Sequence, residues 1–107
     1  MKHIILMFTF FLFLTGVSEA KEVSVLQDKN GVSYEVNSET PYTGKLVEWR
    51  LNGKKRFEVN WKNGKQDGVS TRWYANGQKE YEANYKDGKL DGIWTHWDEN
   101  GQKFFLK

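Results

Sequence analysis

The chain of 107 residues has no cysteine, one proline and two histidines. Without cysteine there is no disulfide framework, no thiolate nucleophile and no thiolate zinc site. His3 stands at the extreme N-terminus, so His96 is the one histidine left for a folded domain. A lone histidine cannot build a zinc site of the usual ligand set, and the sequence offers no Ser-His-Asp or Cys-His pairing to propose; an enzyme would need a polar pocket holding His96 with a carboxylate. We therefore expect no catalytic residues, no metal and no cofactor: a protein that is not an enzyme. Charge of one sign is also lacking, since 16 Lys and Arg face 14 Asp and Glu for a net charge of +2. The lysines alternate with Glu58, Glu80, Glu82 and Asp87 instead of forming a one-sided basic stripe, which argues against nucleic acid. Contact with an anionic membrane surface is open to the loop lysines, each adding only about 1 kcal/mol there.

The longest apolar run, Ile4 to Leu14, is broken by Thr9 and is about half the roughly 20 residues that a membrane span needs. Lys2 and His3 precede it, and Ser18-Glu19-Ala20 follows with small residues where a signal peptidase reads. This predicts a signal peptide over 1–20, cleavage after Ala20, and a secreted, periplasmic or cell-surface location. No helical periodicity occurs beyond it.

What is present is a repeat of 24 residues. Gly53, Gly77 and Gly101 keep that step, as do Gly44, Gly68 and Gly92, and Gly64 with Gly88. Trp49, Trp73 and Trp97 follow it, and so do Phe57, Tyr81 and Phe105. A fixed period of this length marks a stacked repeat architecture. Within a unit the residues alternate: Val69, Thr71 and Trp73 against Ser70, Arg72 and Tyr74; Tyr81, Ala83 and Tyr85 against Glu80, Glu82 and Asn84. This is the period-2 pattern of half-buried strands. It predicts an all-β fold with strands near 22–27, 32–37, 44–50, 54–61, 68–74, 78–85, 92–98 and 102–106, joined as an antiparallel meander. Residues 21–43 read as a divergent N-terminal hairpin and cap, and 44–107 as the repeats.

A three-residue loop Ala75-Asn76-Gly77 would place Trp73 opposite Lys79 and Thr71 opposite Tyr81, keeping the aromatic face continuous. It requires positive φ at Gly53, Gly77 and Gly101. Asn63-Gly64 to Asp67-Gly68, and Asp87-Gly88 to Asp91-Gly92, read as longer loops ending on the glycine that starts the next strand. Those aspartates are explained by turn formation; a calcium loop would need more oxygen ligands.

The units NGKKRFEVNWKNGKQDGVSTRW and NGQKEYEANYKDGKLDGIWTHW, with the entry segment Pro41-Tyr42-Thr43-Gly44, resemble the bacterial variant of the MORN repeat over about residues 30–107. The resemblance implies an elongated, curved single sheet of β-hairpins. It implies a scaffold or binding module, some relatives being membrane-associated and others labelled antitoxins or occurring as exported sets. It supplies no catalytic residues.

On this reading Trp49, Trp73 and Trp97 line one face beside Phe57, Tyr81 and Phe105, with Trp61 and Tyr85 extending the strip. A single meander has nothing of its own to lay over such a face, so the strip is either self-packed or an open contact surface. Tyr74 and Trp94 break the alternation and fall on the polar face with Arg72 and His96. They are either interface residues or rings lying across lysine stems. His96 itself occupies a variable, solvated position. The candidate binding residues are thus Trp94, Tyr74, Trp73, Trp97, Trp49 and Tyr81. The partner expected is a protein or a cell-envelope component. The alternatives are an antitoxin- or immunity-like partner of a toxin, and a self-associating structural protein forming a homo-oligomer through the edge at Phe104 to Leu106.

Overall fold

The computed structural model describes residues 21–106, and side chains to Lys103. The signal-peptide expectation for 1–20 lies outside the described residues. The described residues form ten strands: β1 Glu22–Val23, β2 Gln27–Lys29, β3 Val32–Tyr34, β4 Gly44–Trp49, β5 Lys55–Lys62, β6 Lys65–Trp73, β7 Lys79–Lys86, β8 Lys89–Leu90, β9 Trp94–Trp97 and β10 Lys103–Leu106. Eight of them form one sheet in the order β1-β4-β5-β6-β7-β9-β10, with β8 also on β7. No helix occurs among the described residues. The body is elongated, 56 × 34 × 25 Å. From β4 to β10 it is the antiparallel meander that the alternation predicts. The N-terminal part differs: β1 runs parallel to β4, and β2-β3 is a separate hairpin.

Two kinds of turn alternate along the meander. At one end of the strands, the Arg50, Tyr74 and Asp98 N–H groups donate to the carbonyls of Lys54, Gln78 and Gln102 across three-residue loops. Gly53, Gly77 and Gly101 close these loops at φ 87°, 92° and 86°, as expected. Asn52 and Asn76 each accept the N–H two residues on, which fixes the turn from within. At the other end the expected long loops are absent. Asn63-Gly64 and Asp87-Gly88 are two-residue turns with positive φ at both positions, and Asn30-Gly31 is a third. Asn and Asp tolerate the left-handed conformation, so an Asn-Gly or Asp-Gly pair supplies the twist that matches two antiparallel strands. Pairing therefore resumes at once, with Lys62 against Lys65 and Lys86 against Lys89.

The larger departure is a one-residue slip. Trp73 faces Lys79 as expected, but the next pair is Arg72 with Tyr81, so Glu80 is an extra residue on β7. Arg56 is the extra residue on β5, between the pairs Trp49-Lys55 and Glu48-Phe57. The third hairpin has no slip: Trp97 pairs Lys103 and His96 pairs Phe104. One bulged residue exchanges the faces of everything beyond it. Phe57 and Tyr81 therefore do not share a face with Trp49 and Trp73. Side chains of Leu46, Glu48, Phe57, Val59, Ser70, Arg72, Tyr81, Ala83 and His96 occupy one side by register together with Trp61 and Trp94, and Val47, Glu58, Thr71 and Glu82 occupy the other with Trp49, Trp73 and Trp97. The expectation of one shared aromatic face is thus corrected to two faces of different chemistry.

Burial is shallow, as a lone sheet demands. Among the described residues Tyr42, Val47 and Ala83 are the buried apolar ones, and Ser33, Ser70 and Thr71 are buried as well. Ser70 and Ala83 oppose each other, and their small size leaves room for the flanking rings. The N-terminal cap is held by backbone bonds. Ser33 N–H donates to Gly64 O, Tyr42 N–H to Ser33 O, and Gly64 N–H to Tyr42 O. Gly88 N–H to Gln66 O repeats the last of these one unit on. The Tyr42 hydroxyl lies 2.8 Å from the Lys45 carbonyl and 3.0 Å from that of Lys21. Burial, reinforced by the charge of Glu35, pushes its pKa up, so it stays a donor. A Cβ on Gly44 would stand 2.5 Å from that hydroxyl oxygen and 2.7 Å from Lys21 O, so this approach of chain to chain needs glycine.

Candidate functional site

The loop ends carry a regular pattern. Trp49 pairs with Lys55, Trp73 with Lys79, and Trp97 with Lys103. The strands that bear them lie in the order β4-β5-β6-β7-β9-β10. Read across the sheet, one face therefore carries Trp, Lys, Trp, Lys, Trp, Lys on six successive strands. The 24-residue period places the tryptophans, because each unit contributes two strands. The bulges place the lysines: they separate Lys55 and Lys79 from the apolar side taken by Phe57 and Tyr81.

Contacts within the row are specific. The Lys55 ammonium sits 5.4 Å from the centre of the Trp49 ring. Lys79 Nζ is 5.9 Å from the Trp97 ring, reaching the next unit's indole. Lys54 and Lys55 line an open hollow of about 390 Å³ with Trp73 and Gly77. Trp49 is 53% exposed, while Trp73 and Trp97 are half-buried.

Carboxylates stand one step further in on the same face. Glu58 binds Lys55 through a very short contact and Lys45 at 3.3 Å. Glu82 binds Lys79 at 3.0 Å. Both pairs on the lysine's own strand are three residues apart, a spacing that faces opposite ways in an unbroken strand; the bulge brings them together. Burial pushes the Glu58 carboxyl up, but the hydrogen bonds and charges of Lys55 and Lys45 outweigh it and hold it below the usual range. The bulged residues pair with the residue they oppose: Arg56 with Glu48 at 3.1 Å, and Glu80 with Arg72 at 3.9 Å.

The remaining candidates lie elsewhere. Tyr81 and Trp94 meet edge to face at 5.8 Å on the opposite side of the sheet. Trp94 is thus part of the apolar face, and His96 beside it is half-buried, not solvated. The Trp94 and Trp61 indole N–H groups are buried without protein partners. The Tyr74 hydroxyl donates to the Trp97 carbonyl at 2.8 Å. Loss of hydration, with Glu80, Glu99 and Asp98 nearby, raises its pKa and keeps it a donor. Arg50, at the same repeat position, donates to the Trp73 carbonyl at 2.8 Å. These two side chains fasten each hairpin to the next. The sequence pattern placed Trp49, Trp73 and Trp97 on one face, as the register does, and missed the lysines beside them, whose signal was Lys two positions before the repeat aromatic, at 55, 79 and 103.

Residues 66–87 and 90–105 match the family described as MORN repeat variant. No curated protein and no solved structure matches the chain. The first matched segment runs from β6 through β7 to the Asp87-Gly88 turn, and the second from Leu90 through β9 to β10. Over these two segments, then, the hairpins of this sheet resemble the MORN repeat variant.

Proposed function

We propose that this chain is an exported, non-enzymatic binding module and that the Trp-Lys row is its contact surface. MORN repeats support a binding or structural role. The observation that carries the reading is the row: three indoles and three lysines at one strand end, with Trp49 more than half exposed. Half-exposed tryptophans contribute less to the fold than buried ones would, and Trp is enriched where surfaces make contacts. Export rests on the charged start, apolar run and Ser18-Glu19-Ala20 of the N-terminus.

The test is capture from cell-envelope fractions by the purified chain and by a variant carrying Trp49→Ala, Trp73→Ala and Trp97→Ala. Binding is expected with the first and lost with the second, while both keep the same β-sheet circular dichroism. Equal capture by the two would remove the row from the reading. A signal-peptide cleavage assay, read by N-terminal sequencing of the secreted chain, is expected to show Lys21 first.

A further inference from the structure

We propose that the Trp-Lys row binds an acidic polysaccharide lying across the strands, one sugar ring per strand; this rests on the reading of the row as a contact surface. Neighbouring strands are about 4.8 Å apart. Successive tryptophans of the row are two strands apart, so about 9.6 Å separates Trp49 from Trp73 and Trp73 from Trp97. One pyranose ring advances an extended glycan chain by nearly one strand step, and a disaccharide by nearly two. A glycan whose acidic and neutral sugars alternate therefore presents ring faces and carboxylates in the same order as indoles and ammoniums.

The chemistry agrees at each position. An indole face carries the negative part of the ring quadrupole and attracts the C–H groups of a sugar face. The lysines answer the carboxylates. Lys55, Lys79 and Lys103 stand in the row between the indoles, and Lys54 lines the hollow beside Trp73. Glu58 and Glu82 hold Lys55 and Lys79 beside the rings, which orders them before a ligand arrives. The hollow between Trp73 and the Lys54 and Lys55 ammoniums is open to a charged sugar.

A single-stranded nucleic acid also has rings and charges, but its phosphates run in a line beside the bases. It would need a basic stripe next to an aromatic row. Here the two alternate along a single line, which favours the glycan.

The experiment titrates the purified chain with hyaluronan oligosaccharides of two, four, six and eight sugars, followed by calorimetry and tryptophan fluorescence. Chitohexaose, oligothymidylate and vesicles of equal parts phosphatidylglycerol and phosphatidylcholine serve as comparisons. Affinity is expected to rise about ten-fold or more from the disaccharide to the hexasaccharide, as successive positions engage. Chitohexaose, neutral and of equal length, is expected to bind about ten-fold more weakly. Trp73→Ala and Lys55→Gln are each expected to weaken hexasaccharide binding about ten-fold, and Trp73→Phe to recover most of it.

Hexasaccharide binding that ignores Trp73→Ala, or that equals chitohexaose, overturns the proposal. Preference for oligothymidylate or for vesicles, sensitive to Trp73→Ala, overturns the glycan and leaves the binding-module reading standing. No binding by any probe, alongside row-dependent capture from envelope fractions, does the same. Failure of both experiments overturns the row itself.

Discussion

The first two hairpins and the third have the same loop and the same tryptophan, yet they pair differently beyond it. In the first two, Arg56 and Glu80 are extra residues and the strand changes face. In the third, Lys103 to Leu106 pairs continuously with Trp97 to Trp94. The sequences differ in the segment that follows the loop: KRFE and KEYE in the first two, KFFL in the third. Only the first two carry a glutamate three residues after the lysine. Only they carry an opposite charge for the bulged residue, Glu48 for Arg56 and Arg72 for Glu80; the third places His96 against Phe104. The comparison teaches that charged pairs select the register here. Each pair is worth little on a surface, but a Lys-Glu pair and a bulge pair act together in each hairpin, and a slip of one residue would separate Glu58 and Glu82 from their lysines.

The most severe way to break the comparison is Tyr81→Ala, which keeps the bulge and removes the ring that the bulge sends to the side of Trp94. Deleting Glu80, by contrast, joins Lys79 directly to Tyr81 and keeps the pairs Trp73-Lys79, Arg72-Tyr81, Thr71-Glu82 and Ser70-Ala83, so every side chain stays on its face, as in the third hairpin. The substitution ends the edge-to-face contact with Trp94 and is expected to cost about 3 kcal/mol. The deletion loses the Glu80-Arg72 ion pair and is expected to cost less than about 1 kcal/mol. Urea unfolding measures both, and a deletion as costly as Tyr81→Ala would show that the bulge itself, and not the register around it, holds the hairpin.

A milder change removes the charge and keeps the bulge. Glu58→Gln leaves Lys45 and Lys55 without their shared carboxylate and is expected to cost about 1–2 kcal/mol at neutral pH. The pH dependence follows from the lowered pKa of Glu58. A carboxyl lower in the folded state contributes its full stabilisation above the unfolded value of about 4.3. It loses that stabilisation as pH falls through the folded value. The gap between parent and Glu58→Gln in urea midpoint should therefore be widest near pH 6 and close toward pH 3. A gap that widens in acid would contradict the ion pair. The third hairpin has Leu106 at this position, so Leu106→Gln should show no such pH dependence.

How much of this could be read beforehand depends on the local strength of each signal. The three-residue loops were legible because Asn-Gly at a fixed step leaves few backbone solutions, and Gly53, Gly77 and Gly101 adopt them. The antiparallel meander was legible from the alternation of β6 and β7. That same alternation misled on the faces. Val69, Thr71 and Trp73 match Tyr81, Ala83 and Tyr85 in parity, so continuous pairing looks better by hydrophobic pattern alone. The competing signals were the small opposed residues Ser70 and Ala83, and the Lys-Glu spacing of three in two units out of three. The two-residue turns at Asn63 and Asp87 were read as long loops because Asp67-Gly68 and Asp91-Gly92 resemble a second turn; Gly68 instead lies within β6 at φ 105°. The parallel pairing of β1 with β4 has no repeat behind it, and nothing in Glu22-Val23 announces it.

The smallest expected effect tests how the hairpins are joined, not how each is paired. Arg50 fastens the first hairpin to the second through the Trp73 carbonyl, and Tyr74 fastens the second to the third through the Trp97 carbonyl. Arg50→Met keeps the length of the side chain and removes the donor. A single hydrogen bond is worth about 1 kcal/mol net, and the Trp73 carbonyl is left to find water. Because repeat stability sums over neighbouring contacts, the loss should appear at the junction. Hydrogen exchange is expected to quicken in β4 and β5, on the far side of the broken clasp, and to stay unaltered in β9. Tyr74→Phe should reverse that pattern, quickening β9 and sparing β4. Equal quickening throughout by both variants would mean that the sheet opens as one unit and that the clasps do not partition it.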